Sequence, residues 1–141
     1  VSTNFQSFNL LSNPPLAAPG FTITGNGRVV LELLPYTLLS GRIFAPNGPT
    51  TITFDSDKNF ASIAFHTPDL RFSPARPVSF KAFDAGGNQV LSGQKTGTIE
   101  TVRLSVEDTL TIGGATFRKI VITSDYNFLL IYLDNLEAGC R

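Results

Sequence analysis

Two groups of carboxylate and amide side chains in this sequence have the types and spacing of a calcium site. The first is Asp134-Asn135, near the end of an apolar run over residues 127–136. Calcium accepts carboxylate, amide and backbone oxygens from irregular segments, so we predict that Asp134 binds calcium with an oxygen from the first strand, from Gln6 or Asn4. The second group is Asp55-Ser56-Asp57 with Asn59. Ordinary turn chemistry is the alternative in both places.

Four side chains in predicted loops could instead bind a sugar. Tyr36 follows a proline and Tyr126 lies in a predicted turn, and an exposed aromatic ring can stack on the apolar face of a sugar. Arg71 and Arg76 border a proline-rich connection and could bond to the hydroxyl groups. We predict these four residues as ligand-binding residues, with ordinary packing as the alternative for the tyrosines.

The residues needed for catalysis are scarce. His66 is the one histidine, placed at the predicted end of a strand, and no Gly-x-Ser-x-Gly motif accompanies it. Most aspartates lie in predicted turns, where Asp bonds to its own backbone, and no pair of acids is marked out for glycoside hydrolysis. With one His and one Cys, a transition-metal site is also unsupported. We therefore expect a protein that is not an enzyme.

The segments that must position these side chains are short, and apolar and polar residues alternate in them. Residues 21–24, 50–54 and 61–65 alternate with a period of two, and β-branched residues fill most apolar runs. Turn signals recur every 8–12 residues or so, the spacing of a sandwich or barrel. The clearest hairpin turn is Asp84-Ala-Gly-Gly-Asn88, and Gly25-Asn-Gly27 is predicted as another. The pattern predicts an all-β antiparallel sandwich of about ten short strands, with residues 127–136 as its closing central strand.

Composition limits the organisation and the partners. A length of 141 residues predicts one domain over residues 1–141. Eleven acidic and eleven basic side chains give a net charge of zero, which argues against nucleic acid, and no apolar run is long enough for a membrane span. The chain has no Met, which predicts a removed leader or a fragment of a longer protein, and we expect an extracellular location. Cys140 has no internal partner, so pairing in a homo-oligomer, pairing with an absent segment and a free thiol stay open.

Two segments resemble galactose-binding-like jelly-roll domains, including those of exported bacterial proteins with a PEP-CTERM sorting tail. Residues 80–90 resemble the hairpin of that family, and residues 131–136 resemble its last strand, an apolar run that ends in Asp-Asn. The resemblance implies a carbohydrate-binding or cell-surface module, often with a structural calcium between the first and last strands. By that analogy Asp134 is the ligand carboxylate, while Gln6 stands where the family usually has Glu.

Together these observations predict a secreted or surface-displayed jelly-roll domain that binds glycans without catalysis. The expected partner is a carbohydrate or glycoconjugate, bound by loops at one end of the sandwich. The alternative is a structural or adhesive domain of an extracellular assembly, without a small-molecule site. A sandwich by itself is compatible with both, because one fold serves many functions.

Overall fold

The computed structural model describes residues 1–3, 5–31, 39, 41–68, 77–97, 99–100, 105–124 and 131–141. Within these ranges the chain is all-β, and every strand pair is antiparallel. The strands are β1 (Ser2–Thr3), β2 (Leu16–Ala18), β3 (Phe21–Leu31), β4 (Arg42–Pro68), β5 (Val78–Phe83), β6 (Gln89–Lys95), β7 (Ile99–Glu100), β8 (Ser105–Ser124) and β9 (Tyr132–Gly139). The described residues contain no helix long and apolar enough to cross a bilayer.

The two long strands, β4 and β8, each take part in both layers of a sandwich. The first part of β4 pairs with β3 and with the second part of β8, and β5 and β6 extend this layer. The last part of β4 pairs with β9 and with the first part of β8, and β1 and β7 extend this second layer. Between them the β4–β8 register shifts from Thr53 to Lys58 and again to Phe60, which marks the corner where the chain changes layers.

One apolar core lies between the layers. Ile52 and Phe54 of the first layer are buried in the same cluster as Ala61, Ile63 and Phe65 of the second. These are the residues that the alternating pattern placed on the inner face, because successive side chains of a strand point to opposite sides. The prediction of an all-β antiparallel sandwich is therefore confirmed.

The strands are fewer and longer than predicted. Gly25-Asn-Gly27 does not end a strand but lies inside β3, where the register with β4 shifts between the two glycines. Residues 45–49 lie inside β4 and Gly113-Gly114 inside β8, although the glycines and prolines at these positions are common turn signals. A β-bulge uses the same glycines as a turn while the strand continues beyond it, so composition alone did not separate the two.

The beginning of the chain also differs from expectation. Gln6 was expected to belong to the first strand, but β1 ends at Thr3 and residues 5–11 form turns and bends, with the Phe8 amide donating to the Phe5 carbonyl at 3.2 Å. The segment over residues 13–19, with its three prolines, contains β2. The hairpin turn at Asp84 is confirmed between β5 and β6, where the Asp84 carboxylate accepts bonds of 2.9 Å from the amides of Gly86 and Asn88.

The closing strand runs past the Asp134-Asn135 pair instead of stopping there. Asn135 has a φ of 50° and sits at a bulge, because the β4 partners of β9 shift register between Ser62 and Ala64. Residues 127–130 of the predicted strand lie outside the described ranges. β9 nevertheless lies next to the first strand, since Ser2 pairs with Glu137. The first and last strands are thus joined by backbone hydrogen bonds.

Candidate functional site

The four predicted sugar-binding residues lie outside the part of the chain that the structure describes. They are Tyr36, Arg71, Arg76 and Tyr126. Their role in ligand binding stays a prediction.

The predicted calcium ligands, Asp134 and Gln6, differ in burial. Asp134 is fully buried within β9, whereas Gln6 is exposed and its side-chain amide donates to the Arg42 carbonyl at 3.3 Å. Among the described residues no three His, Cys, Asp or Glu side chains are grouped closely enough to hold a metal ion. A calcium ion at Asp134 would therefore need amide and backbone oxygens for its remaining ligands, and its binding stays a prediction.

The second predicted calcium group lies at the corner of β4, where its side chains hold other parts of the chain. The carboxylate of Asp57 lies 2.8 Å from the guanidinium of Arg118. Asn59 bonds to the backbone of Arg141 through both its oxygen and its nitrogen, at 2.7 and 2.9 Å. These contacts fasten β8 and the last residue to the corner.

A cleft of about 710 Å³ opens where three neighbouring segments lose their regular pairing. In the β3–β4 ladder, Gly25 pairs with Thr50 and Gly27 pairs with Pro46, so Asn26 alone stands opposite residues 47–49. On the other side of β3, residues 13–15 are unpaired between Leu16, which pairs with Ile23, and Ser12, whose carbonyl accepts from the Val29 amide at 3.0 Å. All three segments therefore bulge at the same level of the sheet.

The glycines on either side of Asn26 are required by this geometry. They have φ values of 117° and 151°, which favour glycine. A Cβ on Gly27 would lie 2.6 Å from Cζ of Phe44 and 2.7 Å from the Ala45 carbonyl oxygen. β3 and β4 are thus in close contact at Gly27, while the side chain of Asn26 is exposed beside it.

The cleft is lined by amides, one guanidinium and one phenol. Asn13, Asn26, Asn47 and Arg28 are exposed, and none of these side chains forms a hydrogen bond or ion pair with another described residue. Their donors and acceptors are therefore available to a ligand. The described residues that line it are Asn13, Pro14, Gly25, Asn26, Gly27, Arg28, Val30, Leu31, Ala45, Asn47 and Tyr132.

Tyr132 forms the aromatic part of the cleft and is held by the outer face of the second layer. It is half-buried and packs against a small cluster that contains Leu39, Ile43 and Ala64. Its ring centroid lies 5.2 Å from that of His66, its partner across the β4–β9 ladder. Packed in this way, the ring of Tyr132 is held in place where it lines the cleft.

His66 belongs to the supporting layer behind the cleft. It lies within β4 rather than at a rim, and only 6% of its surface is exposed. Burial lowers the pKa of His66 from 6.5 to about 4, because the imidazolium would lose its hydration. The fully buried Glu107 stands opposite it on β8. At neutral pH His66 is therefore uncharged beneath the ring of Tyr132.

Two other hollows on the described surface are less suited to a ligand. One, of about 430 Å³, lies between β1 and β9 and is lined by Glu137 and small polar residues, without an aromatic ring. The other, of about 450 Å³, contains Phe60 and Arg141. There the guanidinium of Arg141 already lies 3.5 Å from the centre of the Phe60 ring. Because the two groups contact each other, neither is available to a ligand.

Sequence reasoning missed the cleft because its polar residues look like turn residues. Asn26 and Asn47 each adjoin glycine, and Asn13 precedes two prolines, which are common turn signals. One signal that could have found the cleft is that core residues continue to alternate with outward-facing residues beyond these positions in β3 and β4. Val29 and Phe44 are both buried in the core. A polar residue that interrupts alternation without ending it predicts a bulge.

Comparisons with known proteins identify no family for the chain. No protein-family model matches it, and no curated protein matches it significantly. Among solved structures it is similar to the CBM22-1 xylan-binding domain of Xyn10C from Paenibacillus barcinonensis, with 13% identity, 100% of this chain and 94% of that chain covered, and a TM-score of 0.47.

Two further structures show likeness at a similar level. The enzymatically active domain of bacteriophage CBA120 tailspike protein 4 is 15% identical over 86% of this chain and 19% of that chain, with a TM-score of 0.45. The K1 cleaved adhesin domain of Lys-gingipain from Porphyromonas gingivalis is 10% identical over 100% of this chain and 98% of that chain, with a TM-score of 0.42. Likenesses of this strength assign no function to the chain.

Proposed function

We propose that this protein is a non-catalytic glycan-binding domain of the galactose-binding-like type, secreted or displayed at a cell surface. The observation that carries the proposal is the cleft between β3, β4 and the segment before β2. It combines the ring of Tyr132 with one guanidinium and three amides whose hydrogen bonds are not used by other described residues. Its volume of about 710 Å³ lies in the range of small-molecule sites.

The chemistry of the cleft matches what a sugar presents. A sugar ring has an apolar face, which stacks on an aromatic ring, and hydroxyl groups that both donate and accept hydrogen bonds. Asn side chains supply both donors and acceptors, and arginine supplies a planar set of donors. The three asparagines come from three different segments, so they can contact several hydroxyl groups of one ligand.

The lining residues also support binding without catalysis. Those that the structure describes include no carboxylic acid, histidine or thiol, which are the usual acids, bases and nucleophiles. The nearest of these groups with a described contact is His66, whose ring lies against Tyr132 and is almost wholly buried. A ligand in the cleft would therefore meet groups that orient it rather than groups that react.

A glycan array tests the proposal. The purified chain should bind at least one class of oligosaccharide, and Tyr132→Ala should reduce binding roughly tenfold, since it removes the stacking surface and a loss of about 1.4 kcal/mol is a tenfold change in affinity. Tyr132→Phe keeps the ring and should retain most of the affinity. Melting curves of both variants confirm that they are folded. An array without any hit would contradict the proposal, as would Tyr132→Ala binding as well as the wild type.

A further inference from the structure

The charge of the cleft distinguishes between classes of glycan. Among the lining residues that the structure describes, Arg28 is the one charged side chain. The ion pairs found among the described residues join Lys95 to Asp108, Arg118 to Asp57 and Arg141 to Glu137, and none of them involves Arg28. The described lining therefore carries a positive charge without an ion-pair partner, in a protein whose net charge is zero.

The position of Arg28 in the sheet makes its guanidinium available to a ligand. Its neighbour Val29 is buried in the core, so Arg28 and Val30 project to the opposite, outer face. Across the ladder, Arg28 pairs with Ala45, which also lines the cleft. Asn26 lies two residues before Arg28. The Asn26 amide and the Arg28 guanidinium both line the cleft.

We propose that the glycan bound in this cleft is acidic, with the carboxylate of a uronic acid held by Arg28. This inference rests on the proposed glycan-binding function. A guanidinium presents its donors in a planar fork that matches the two oxygens of a carboxylate, and such charged bonds are stronger than bonds to a neutral hydroxyl. A neutral sugar would leave this fork paired with hydroxyl groups or water. The neighbouring amides fix the ring hydroxyls, so the carboxylate orients the sugar within the cleft.

No acidic side chain lies among the described residues of the lining, which strengthens the preference. A carboxylate next to Arg28 would neutralise it and repel an acidic ligand. An exposed ion pair contributes little in water, whereas one partly shielded by a bound ring and by the walls of a cleft contributes more. We therefore expect a preference that weakens as salt concentration rises.

The test compares matched acidic and neutral sugars at the same linkage. An array should carry oligosaccharides of glucuronate and glucose, galacturonate and galactose, and mannuronate and mannose, with sulfated neutral sugars as a further arm. The expected result is that at least one acidic member binds roughly tenfold tighter than its neutral partner. Arg28→Gln should abolish this difference and Arg28→Lys should keep part of it. Lys81→Gln, which removes an exposed charge on β5, should leave it unchanged.

The possible outcomes separate the two proposals. Equal or tighter binding of the neutral members would overturn the acidic preference while keeping the glycan-binding function. Tighter binding of the sulfated sugars would also overturn the assignment of a carboxylate. If no sugar binds at all, the proposed function itself fails. If acidic sugars bind equally well to Arg28→Gln and to the wild type, while melting curves show both folded, the role of Arg28 is wrong.

Discussion

Two segments of similar composition, rich in glycine and asparagine, behave differently in this structure. In the hairpin turn between β5 and β6, the carboxylate of Asp84 accepts bonds from the amides of Gly86 and Asn88 and from the Asn88 side chain. At the bulge between β3 and β4, Asn26 lies between two glycines, and its side chain bonds to no other described residue. The turn satisfies its own polar groups, whereas the bulge presents them to a cleft.

The difference follows from what each segment must do for the chain. A hairpin turn reverses direction, and an aspartate at its start can bond to the backbone a few residues on. A bulge only displaces one or two residues from a ladder that continues on both sides, so its side chain is turned away from the strand. At this cleft three segments that leave regular pairing meet, and their amide side chains bond to no other described residue.

The largest expected effect comes from replacing one glycine of each segment with alanine. Gly27→Ala should lower the free energy of unfolding by about 4 kcal/mol, because the new Cβ meets Phe44 and Ala45 and the backbone is strained. Gly87→Ala has a positive φ but nothing within 4 Å of the new Cβ, so it should cost only about 1 kcal/mol. Urea unfolding of both variants measures the contrast. Equal losses would show that the bulge is not closely packed.

The next effect concerns His66, whose ring packs against Tyr132 of the cleft. The folded-state pKa of His66, about 4, lies below its usual 6.5, so the unfolded state binds more protons between these values. Stability should therefore fall as the pH drops from about 6.5 to 4, by about 3 kcal/mol from this group. His66→Gln, which does not titrate there, should show a flatter profile in urea unfolding at each pH. Parallel profiles for the two proteins would contradict the burial of a neutral imidazole.

A third set of polar residues, the predicted calcium ligands, belongs neither to the turn nor to the cleft. If Asp134 and Gln6 bind the ion as predicted, calcium at 100 times its Kd should raise the free energy of unfolding by about 2.7 kcal/mol. Melting curves with calcium and with a chelator measure this, and Gln6→Ala is the matched variant that should reduce the shift. Identical curves with and without calcium would remove the predicted site.

The smallest effect is expected at the hairpin turn. The amide and side chain of Asn88 lower the pKa of Asp84 below its usual 3.8, so the folded state favours the carboxylate. This stabilisation is present above pH 3.8 and is lost as the pH falls through the folded-state pKa. Asp84→Ala should therefore lower the melting temperature slightly at pH 7 and leave glycan binding unchanged. A loss of binding in this variant would mean that the turn, rather than the bulge, contacts the ligand.

The architecture could be predicted from the sequence because alternation is set by the core. Ile52, Phe54, Ile63 and Phe65 point inward as their spacing requires, since a shift by one residue would expose them all. The ends of the strands could not be predicted from the same pattern. Glycine and proline serve turns, bulges and corners alike, and only pairing with other strands decides between them.

The candidate site was less predictable because it depends on contacts distant in sequence. Asn13, Asn26 and Asn47 become neighbours only when β2, β3 and β4 pair in their observed registers. Tyr132 was assigned to a buried strand, and nothing local indicates that its side chain faces outward. The four residues predicted to bind a sugar lie outside the described ranges. They were predicted from local turn signals, and the same signals concealed the cleft. They are Tyr36, Arg71, Arg76 and Tyr126.

The most direct test of this account is an NMR titration of the labelled chain with the tightest ligand from the array. The account predicts that the largest backbone shift changes occur at Asn26, Arg28, Asn47 and Tyr132, while the turn from Asp84 to Asn88 stays unaffected. Shifts concentrated at that turn, or in the hollow between β1 and β9, would contradict the assignment of the cleft as the binding site.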